Sequence, residues 1–245
     1  MKSNKILQKT AYAVALVAWV WLCIYLAQLI TYFIFRWLIN TFHLEAGTIL
    51  QALFSSVTYI FAILIMLGIP ALLRRKIKNH PLLEKSSREE LGLKGLPTWT
   101  DILLSPIGFI IQLVLSAALV TLFSKIFPWF NAAETQEVGF SDLYTAGDKI
   151  IAFLIIVVVA PIAEEIIFRG FLYGKLRKRL NLPLSILLVS LLFAVLHGQW
   201  NVAVNVFATS VVLCALREVT GTIYAGTLVH IIKNAVAFYL LFIAL

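Results

Sequence analysis

The stretch that decides the fold is residues 150–173, IIAFLIIVVVAPIAEEIIFRGFLY. It is long enough to cross a bilayer as a helix, since a span needs about 20 mostly apolar residues. Inside it lie two adjacent acids, Glu164 and Glu165, and an arginine, Arg169. An ionised side chain at bilayer depth costs roughly 2.5 kcal/mol or more on insertion scales, so an acid pair there is by default a functional-site hypothesis.

The whole chain has the composition of an integral membrane protein. Of its 245 residues 61% are hydrophobic and 13% are charged, and the mean hydropathy is +0.95. A soluble domain is roughly half apolar and a quarter charged. No Pro, Gly or Ser-rich linker interrupts the sequence, so residues 1–245 are predicted to form a single membrane domain. Cys23 and Cys214 both lie in apolar runs, which indicates neither a disulfide framework nor a thiolate zinc site.

Seven apolar segments are candidates for transmembrane helices, and they predict an all-α, polytopic membrane helix bundle. The fifth and sixth segments are shorter than the others. The approximate bounds are Ala11–Leu38, Ile49–Leu73, Ile102–Phe127, Ile150–Tyr173, Pro183–Leu196, Val202–Leu216 and Ile223–Leu245.

The loop charges predict which ends of these helices face the cytoplasm. The formal net charge of +8 is concentrated before the first span and in residues 74–94 and 175–179. Residues 39–48 contain no Lys or Arg, and residues 128–148 carry acids, which are Glu134, Glu137, Asp142 and Asp148. Because cytoplasmic loops are enriched in Lys and Arg, the N-terminus is predicted to be cytoplasmic. These basic loops indicate topology, and no nucleic-acid partner is expected.

Residues 74–100 are predicted to be a cytoplasmic loop with a short interfacial helix. In this polar segment Ser86 or Ser87 is followed three residues later by Glu89 or Glu90. A serine and a glutamate at this spacing form the capping box of a helix N-terminus.

The polar residues of the fourth span separate into two faces. Glu165 and Arg169 are four residues apart, so they share a helical face and can pair within their own helix. Glu164 is turned about 100° away from that face and is the candidate general base. Pro161, one turn earlier, predicts a kink that frees a backbone carbonyl beside the site.

Two later spans carry polar residues at the same one-turn spacing. Phe193 and His197 share a face of the fifth span, and His230 and Asn234 share a face of the seventh. Counted from the cytoplasmic ends, Glu164 and His230 both lie on the order of 10 to 15 Å deep, so one cavity could hold them. A straight fifth helix would carry His197 toward the far side. Either a helix that begins above the cytoplasmic surface or a short, tilted fifth and sixth pair that turns at residues 198–201 would bring His197 nearer.

The motifs Glu164-Glu165-x-x-x-Arg169, Phe193-x-x-x-His197 and His230-x-x-x-Asn234 together resemble the signature of a family of intramembrane proteases. This is the CAAX protease and bacteriocin-processing family (CPBP, or Abi), which includes the type II CAAX prenyl endopeptidase. The resemblance covers residues 150–245, the predicted catalytic core. Glu90-Leu91-Gly92-Leu93, before the third span, also resembles bacterial members.

The resemblance implies a role for each motif residue. Glu164 and His197 would orient and activate the attacking water, and His230 and Asn234 would stabilise the oxyanion. Glu165 and Arg169 would form a supporting ion pair, with Phe193 as a further supporting residue. The expected partners are the lipid bilayer and a peptide or membrane-protein substrate, in peptide maturation or bacteriocin immunity.

The sequence leaves the chemistry and the class of function open. Members of the family have been described both as metalloproteases and as glutamate proteases, and Glu164, His197 and His230 also match a two-histidine, one-carboxylate zinc set. The chain has no HExxH motif, and metal-independent hydrolysis is favoured. Rival classes are a proton-coupled transporter, because buried Glu, His and Arg also form proton relays, and a non-catalytic immunity or scaffold protein. The small extramembrane part suggests a prokaryotic plasma-membrane protein.

The loop charges yield a test of topology. A cysteine introduced near Asn79 should react with an impermeant thiol reagent only from the cytoplasmic side, and one near Thr135 only from outside. The unmodified chain, whose Cys23 and Cys214 lie in apolar runs, gives the background. Reversed labelling would contradict the predicted orientation.

Overall fold

The computed structural model of the chain describes residues 2–45, 47–77, 80–134, 140 and 143–244. Over these residues the protein is all-helical, which confirms the predicted fold class. Among the described residues six helices are long and apolar enough to cross a membrane, and the fifth helix, with 14 residues, is shorter. The prediction of a short sixth span was wrong, because this helix continues beyond the apolar segment through polar residues and reaches 21 residues. The helices are α1 Lys2–Phe42, α2 Thr48–Leu73, α3 Trp99–Ile126, α4 Ala146–Arg177, α5 Leu182–Val195, α6 Trp200–Thr220 and α7 Tyr224–Phe242.

Most helix bounds agree with the apolar segments to within one turn. The largest difference is at α1, which begins at Lys2 rather than near Ala11, because the helix continues through the polar N-terminal residues beyond the apolar stretch. Six positions used in the span and topology predictions lie outside the described residues: Lys78, Asn79, Thr135, Glu137, Asp142 and Leu245.

The chain divides into two compact units. The first consists of Met1–Ser86, Val138–Ile167 and Asn234–Leu245, and the second of Ser87–Glu137 and Phe168–Lys233. The motif residues therefore divide as well. Glu164, Glu165 and Asn234 belong to the first unit, and Arg169, Phe193, His197 and His230 belong to the second.

Small and aliphatic side chains hold α1 against α2 in the first unit. Leu16, Val20 and Cys23 of α1 have no exposed surface, and Ala62 and Met66 of α2 are almost as buried. Large apolar side chains on the other faces of these helices remain exposed, as expected for faces that contact lipid.

In the second unit α6 packs against α3 and α5. Val212, Leu213 and Leu216 of α6 form a buried cluster with Ala225 and Val229 of α7. A capping box begins α3, since Thr98 and Asp101 exchange hydrogen bonds between side chain and backbone. Asp101 also accepts a 2.7 Å hydrogen bond from Thr222 Oγ1, which ties the start of α3 to the segment that joins α6 and α7.

The loop before α3 contains the predicted pairing of serine and glutamate. The Glu90 backbone N–H donates to Ser87 Oγ at 3.2 Å, and the Ser87 N–H donates to Glu90 Oε2 at 3.3 Å. These bonds enclose one turn, residues 88–92, and the described part of the loop contains no α-helix. The turn ends at Gly92, whose φ of 71° lies in the left-handed region that glycine adopts without steric cost.

This turn is fastened to the ends of three helices of the second unit. Lys178 Nζ, just after α4, donates to Glu90 Oε1 at 2.6 Å, and Arg217 Nη2 of α6 donates to the Glu90 carbonyl at 3.1 Å. The Ile223 N–H, just before α7, donates to the Gly92 carbonyl at 3.1 Å. Burial raises the pKa of Glu90, but the hydrogen bonds from Lys178 and Ser87 outweigh it and hold the pKa below its ordinary value.

The close approach of this turn to α4 predicts an opposite effect of alanine at two helical glycines. A Cβ at Gly174 would lie 2.8 Å from the Glu90 carbonyl oxygen, whereas a Cβ at Gly68 in α2 would meet nothing within 4 Å. Gly174→Ala should lower the free energy of unfolding by about 1 to 3 kcal/mol through overpacking. Gly68→Ala, the matched control, should raise it by about 0.5 to 1 kcal/mol. Thermal unfolding in detergent measures both, and a Gly174→Ala protein as stable as the wild type would refute the predicted overpacking.

Candidate active site

The two adjacent glutamates have different surroundings in the first unit. Glu165 has no exposed surface, whereas Glu164 is only half-buried. Tyr59 Oη of α2 donates a 2.7 Å hydrogen bond to Glu164 Oε1. Glu164 ends a short α-helical turn, Ala160–Glu164, and π-helical segments precede and follow that turn. Such wide turns are rare and occur frequently at functional sites.

The side chain of Asn234 hydrogen-bonds to a backbone carbonyl that has no helical N–H donor because of Pro161. In the π-helical segment Leu154–Val159 the bonds run from each N–H to the carbonyl five residues earlier, and the Ala160 N–H donates to Ile155 in this way. The next donor in that pattern would be Pro161, which has no N–H. The Ile156 carbonyl instead accepts a 2.9 Å hydrogen bond from Asn234 Nδ2. An amide nitrogen carries two hydrogens, so this bond uses one of them.

The ring of Phe193 brings three motif residues of the second unit together. Arg169 has no exposed surface, and its guanidinium carbon lies 4.4 Å from the centre of the Phe193 ring. The rings of His197 and His230 meet the same ring nearly edge-on, with centroids 4.9 Å and 6.0 Å away. Phe168 packs on it as well, at 4.7 Å. A buried aromatic ring thus fixes the positions of one cation and two imidazoles.

One hydrogen bond sets the tautomer of His197. Its Nδ1 lies 2.7 Å from the Phe193 carbonyl oxygen. Because a carbonyl only accepts, Nδ1 must carry the proton and donate it. In the neutral ring Nε2 is then unprotonated, and this is the form that can accept a proton or a metal.

The structure shows where the fifth span ends and where His197 lies relative to it. α5 ends at Val195, a turn follows at residues 196–199, and α6 begins at Trp200. Gly198 in this turn has a φ of 74°, which favours glycine at that position. The fifth helix is therefore short, and His197 lies in the turn that follows it rather than within the helix.

The candidate zinc ligands are of residue types that bind zinc. One carboxylate and two imidazoles suit zinc, and the bond from His197 Nδ1 to a carbonyl is the second-shell contact that metal-binding histidines commonly make. Across the described residues, however, no three His, Cys, Asp or Glu side chains are grouped so that they could hold a metal ion. Zinc-dependent hydrolysis stays the alternative to the favoured metal-independent chemistry.

Two partners of the motif residues were not predicted from the sequence. Tyr59 lies 105 positions before Glu164, and no local pattern links the two. The Ile156 carbonyl was anticipated only in general, through the kink expected at Pro161. A proline inside an apolar helix followed by a polar residue on another span is the signal that could have suggested this bond.

Comparison with known proteins supports the motif-based resemblance. No curated protein and no solved structure matches the chain. Residues 146–236 match the family model for Type II CAAX prenyl endopeptidase Rce1-like proteins. This segment contains all three motifs, so the resemblance is confirmed over these residues and indicates an intramembrane endopeptidase of the CAAX type.

Proposed function

We propose that the protein hydrolyses a peptide bond of a peptide or membrane-protein substrate with water activated by Glu164 and His197. The observation that carries the proposal is the family match over residues 146–236, the segment that contains every motif residue. The local geometry of each unit supports it, because the motif side chains are held by specific hydrogen bonds and ring contacts.

Glu164 is the proposed general base. It takes a proton from water as the water oxygen attacks the carbonyl carbon of the scissile bond, and the proton then passes to the leaving amine. The half-buried position of Glu164 supports this role, because a base must be reachable by water, whereas Glu165 has no exposed surface. His197 orients the same water through its unprotonated Nε2, the state that its bond to the Phe193 carbonyl favours.

His230 and Asn234 are the proposed oxyanion donors. The tetrahedral intermediate carries a negative oxygen, and fixed N–H groups stabilise it best when they do not have to reorient during the reaction. The bond from Asn234 Nδ2 to Ile156 supports this role, since it holds the amide in place and uses only one of its two hydrogens.

Glu165 and Arg169 are proposed to support the site without taking part in the chemistry. Both side chains are fully buried, and a buried charge without a partner is strongly destabilising. The stacking of Arg169 on Phe193 supports a structural role, because it links the position of the cation to the ring that also contacts both histidines.

The biological setting is proposed from sequence alone. The chain is a multi-pass membrane protein, and we propose a prokaryotic plasma membrane, a cytoplasmic N-terminus and a role in peptide maturation or bacteriocin immunity. The rivals are a proton-coupled transporter and a non-catalytic scaffold, neither of which needs Glu164 to cleave a bond.

Replacement of the base should separate these classes. Glu164→Gln should abolish cleavage without loss of folded protein, because it keeps the shape of the side chain and removes its basicity. Glu165→Gln, the neighbouring control, should mainly lower yield or thermal stability. The substrate can be found by comparing membrane peptidomes of cells that carry the wild type and Glu164→Ala. Identical peptidomes would favour the transporter or scaffold.

Tyr59 should position Glu164 without contacting the substrate. Loss of its hydroxyl in Tyr59→Phe should lower kcat about tenfold and leave KM and the unfolding temperature nearly unchanged, since one hydrogen bond to the base disappears. Tyr239→Phe is the matched control, because Tyr239 is 57% exposed. A Tyr59→Phe enzyme with wild-type kcat would rule out the positioning role.

Substitution of the oxyanion donors should distinguish protein donors from a metal. Asn234→Ala and His230→Ala should each lower kcat by roughly 10² to 10³ with little change in KM, because the lost bond matters mainly in the transition state. Neither should change metal content. A zinc-dependent mechanism would be indicated by two results together. The wild type would contain one zinc per chain that His230→Ala loses, and a chelator would inactivate the wild type reversibly.

A further inference from the structure

A cavity of about 610 Å³ opens between α1 and α2 in the first unit, near the end of α1 that lies away from the basic N-terminus. Its apolar wall includes Phe35 and Phe54, whose rings meet edge to face with centroids 5.4 Å apart. Ile39 and Leu50 extend this wall on the two helices. The cavity is thus wide enough for a hydrocarbon chain and is lined to receive one.

Every polar side chain on the other side of the same cavity can donate a hydrogen bond. Arg36 Nη1 donates a 2.8 Å hydrogen bond to Tyr32 Oη, which leaves the Tyr32 hydroxyl hydrogen for another acceptor. Gln51 and Ser55 also line the cavity, and both side chains can donate hydrogen bonds. Over the described residues no carboxylate pairs with Arg36 either. The cavity therefore offers one cation and several donors to an acceptor from outside the chain.

The position of Arg36 along α1 places this cation at the membrane surface. α1 has 41 residues, a length of about 60 Å, whereas the hydrocarbon core is about 30 Å thick. No charged residue occurs between Lys9 and Arg36, so that stretch supplies the membrane-crossing part. Arg36 lies about 9 Å before the end of the helix at Phe42, beside exposed Trp37, in the region where lipid phosphates and aromatic belts are found.

We propose that this cavity binds an anionic phospholipid from the leaflet that faces the turn between α1 and α2. The phosphate oxygens accept hydrogen bonds from Arg36 and Tyr32, and Gln51 and Ser55 donate to the polar headgroup. One acyl chain lies against Phe35 and Phe54. A phosphodiester carries a negative charge and only accepts, which complements a site made of donors, and its hydrocarbon tail fills the apolar wall. A soluble anion would leave that wall exposed.

Lipid retention on the purified full chain tests the proposal. The protein is reconstituted in nanodiscs of equal parts phosphatidylglycerol and phosphatidylcholine, and the lipids that stay bound are counted and identified by native mass spectrometry. The wild type should retain phosphatidylglycerol in preference to phosphatidylcholine. Arg36→Gln should weaken retention about tenfold, because a charge-assisted hydrogen bond is lost. Lys9→Gln removes the same charge from the other end of α1 and should leave retention unchanged.

A second variant tests the proposal even if Arg36→Gln does not fold. Leu50→Trp fills the cavity and preserves every charge, so it should also lose the retained lipid. Soluble glycerol phosphate should not compete with the bound lipid. Equal retention by Arg36→Gln and Lys9→Gln, unchanged retention by Leu50→Trp, equal occupancy by the two lipids, or displacement by glycerol phosphate would each overturn the proposal.

Discussion

The structure depends on one constraint, which is that each backbone polar group at bilayer depth needs a partner from the protein itself. Pro161 shows how strict this is. By lacking an N–H it leaves the Ile156 carbonyl without its helical donor, and the side chain of Asn234 supplies the missing hydrogen from α7. The same bond that satisfies the backbone also fixes the amide of a motif residue.

Phe193 serves the second unit in a comparable way. A guanidinium with no exposed surface lies on its face, and two imidazoles lie at its edge, so that one apolar ring defines the positions of three polar groups. The backbone carbonyl of the same residue accepts from His197 Nδ1 and selects its tautomer. Phe193 therefore acts through both its side chain and its backbone, which explains why a phenylalanine belongs to a motif made otherwise of polar residues.

Much of the fold could be predicted because a membrane-spanning helix needs a continuous run of about 20 mostly apolar residues, which the local composition of the sequence reveals. Hydropathy located the seven helices of the described residues, and it correctly indicated that α5 is short, but it wrongly indicated a short α6, which has 21 residues. The spacing of the motif residues indicated a resemblance to the family, and the match over residues 146–236 bears out that resemblance. Two features could not be predicted from the sequence. The π-helical turns of α4 are recognised only from backbone geometry, and the bond from Tyr59 to Glu164 joins residues 105 positions apart. The roles of the site residues stay predictions.

The adjacent acids Glu164 and Glu165 illustrate why sequence position alone does not assign chemistry. The spacing to Arg169 separates the faces of the two side chains, but it says nothing about access to water. The structure adds a difference in exposure, since one carboxylate is half-buried beside a tyrosine hydroxyl and its neighbour has no exposed surface. In the proposed mechanism the more exposed acid exchanges protons with water and has to be reachable, whereas the shielded acid only balances a buried cation. Two identical side chains one residue apart are thereby suited to different tasks.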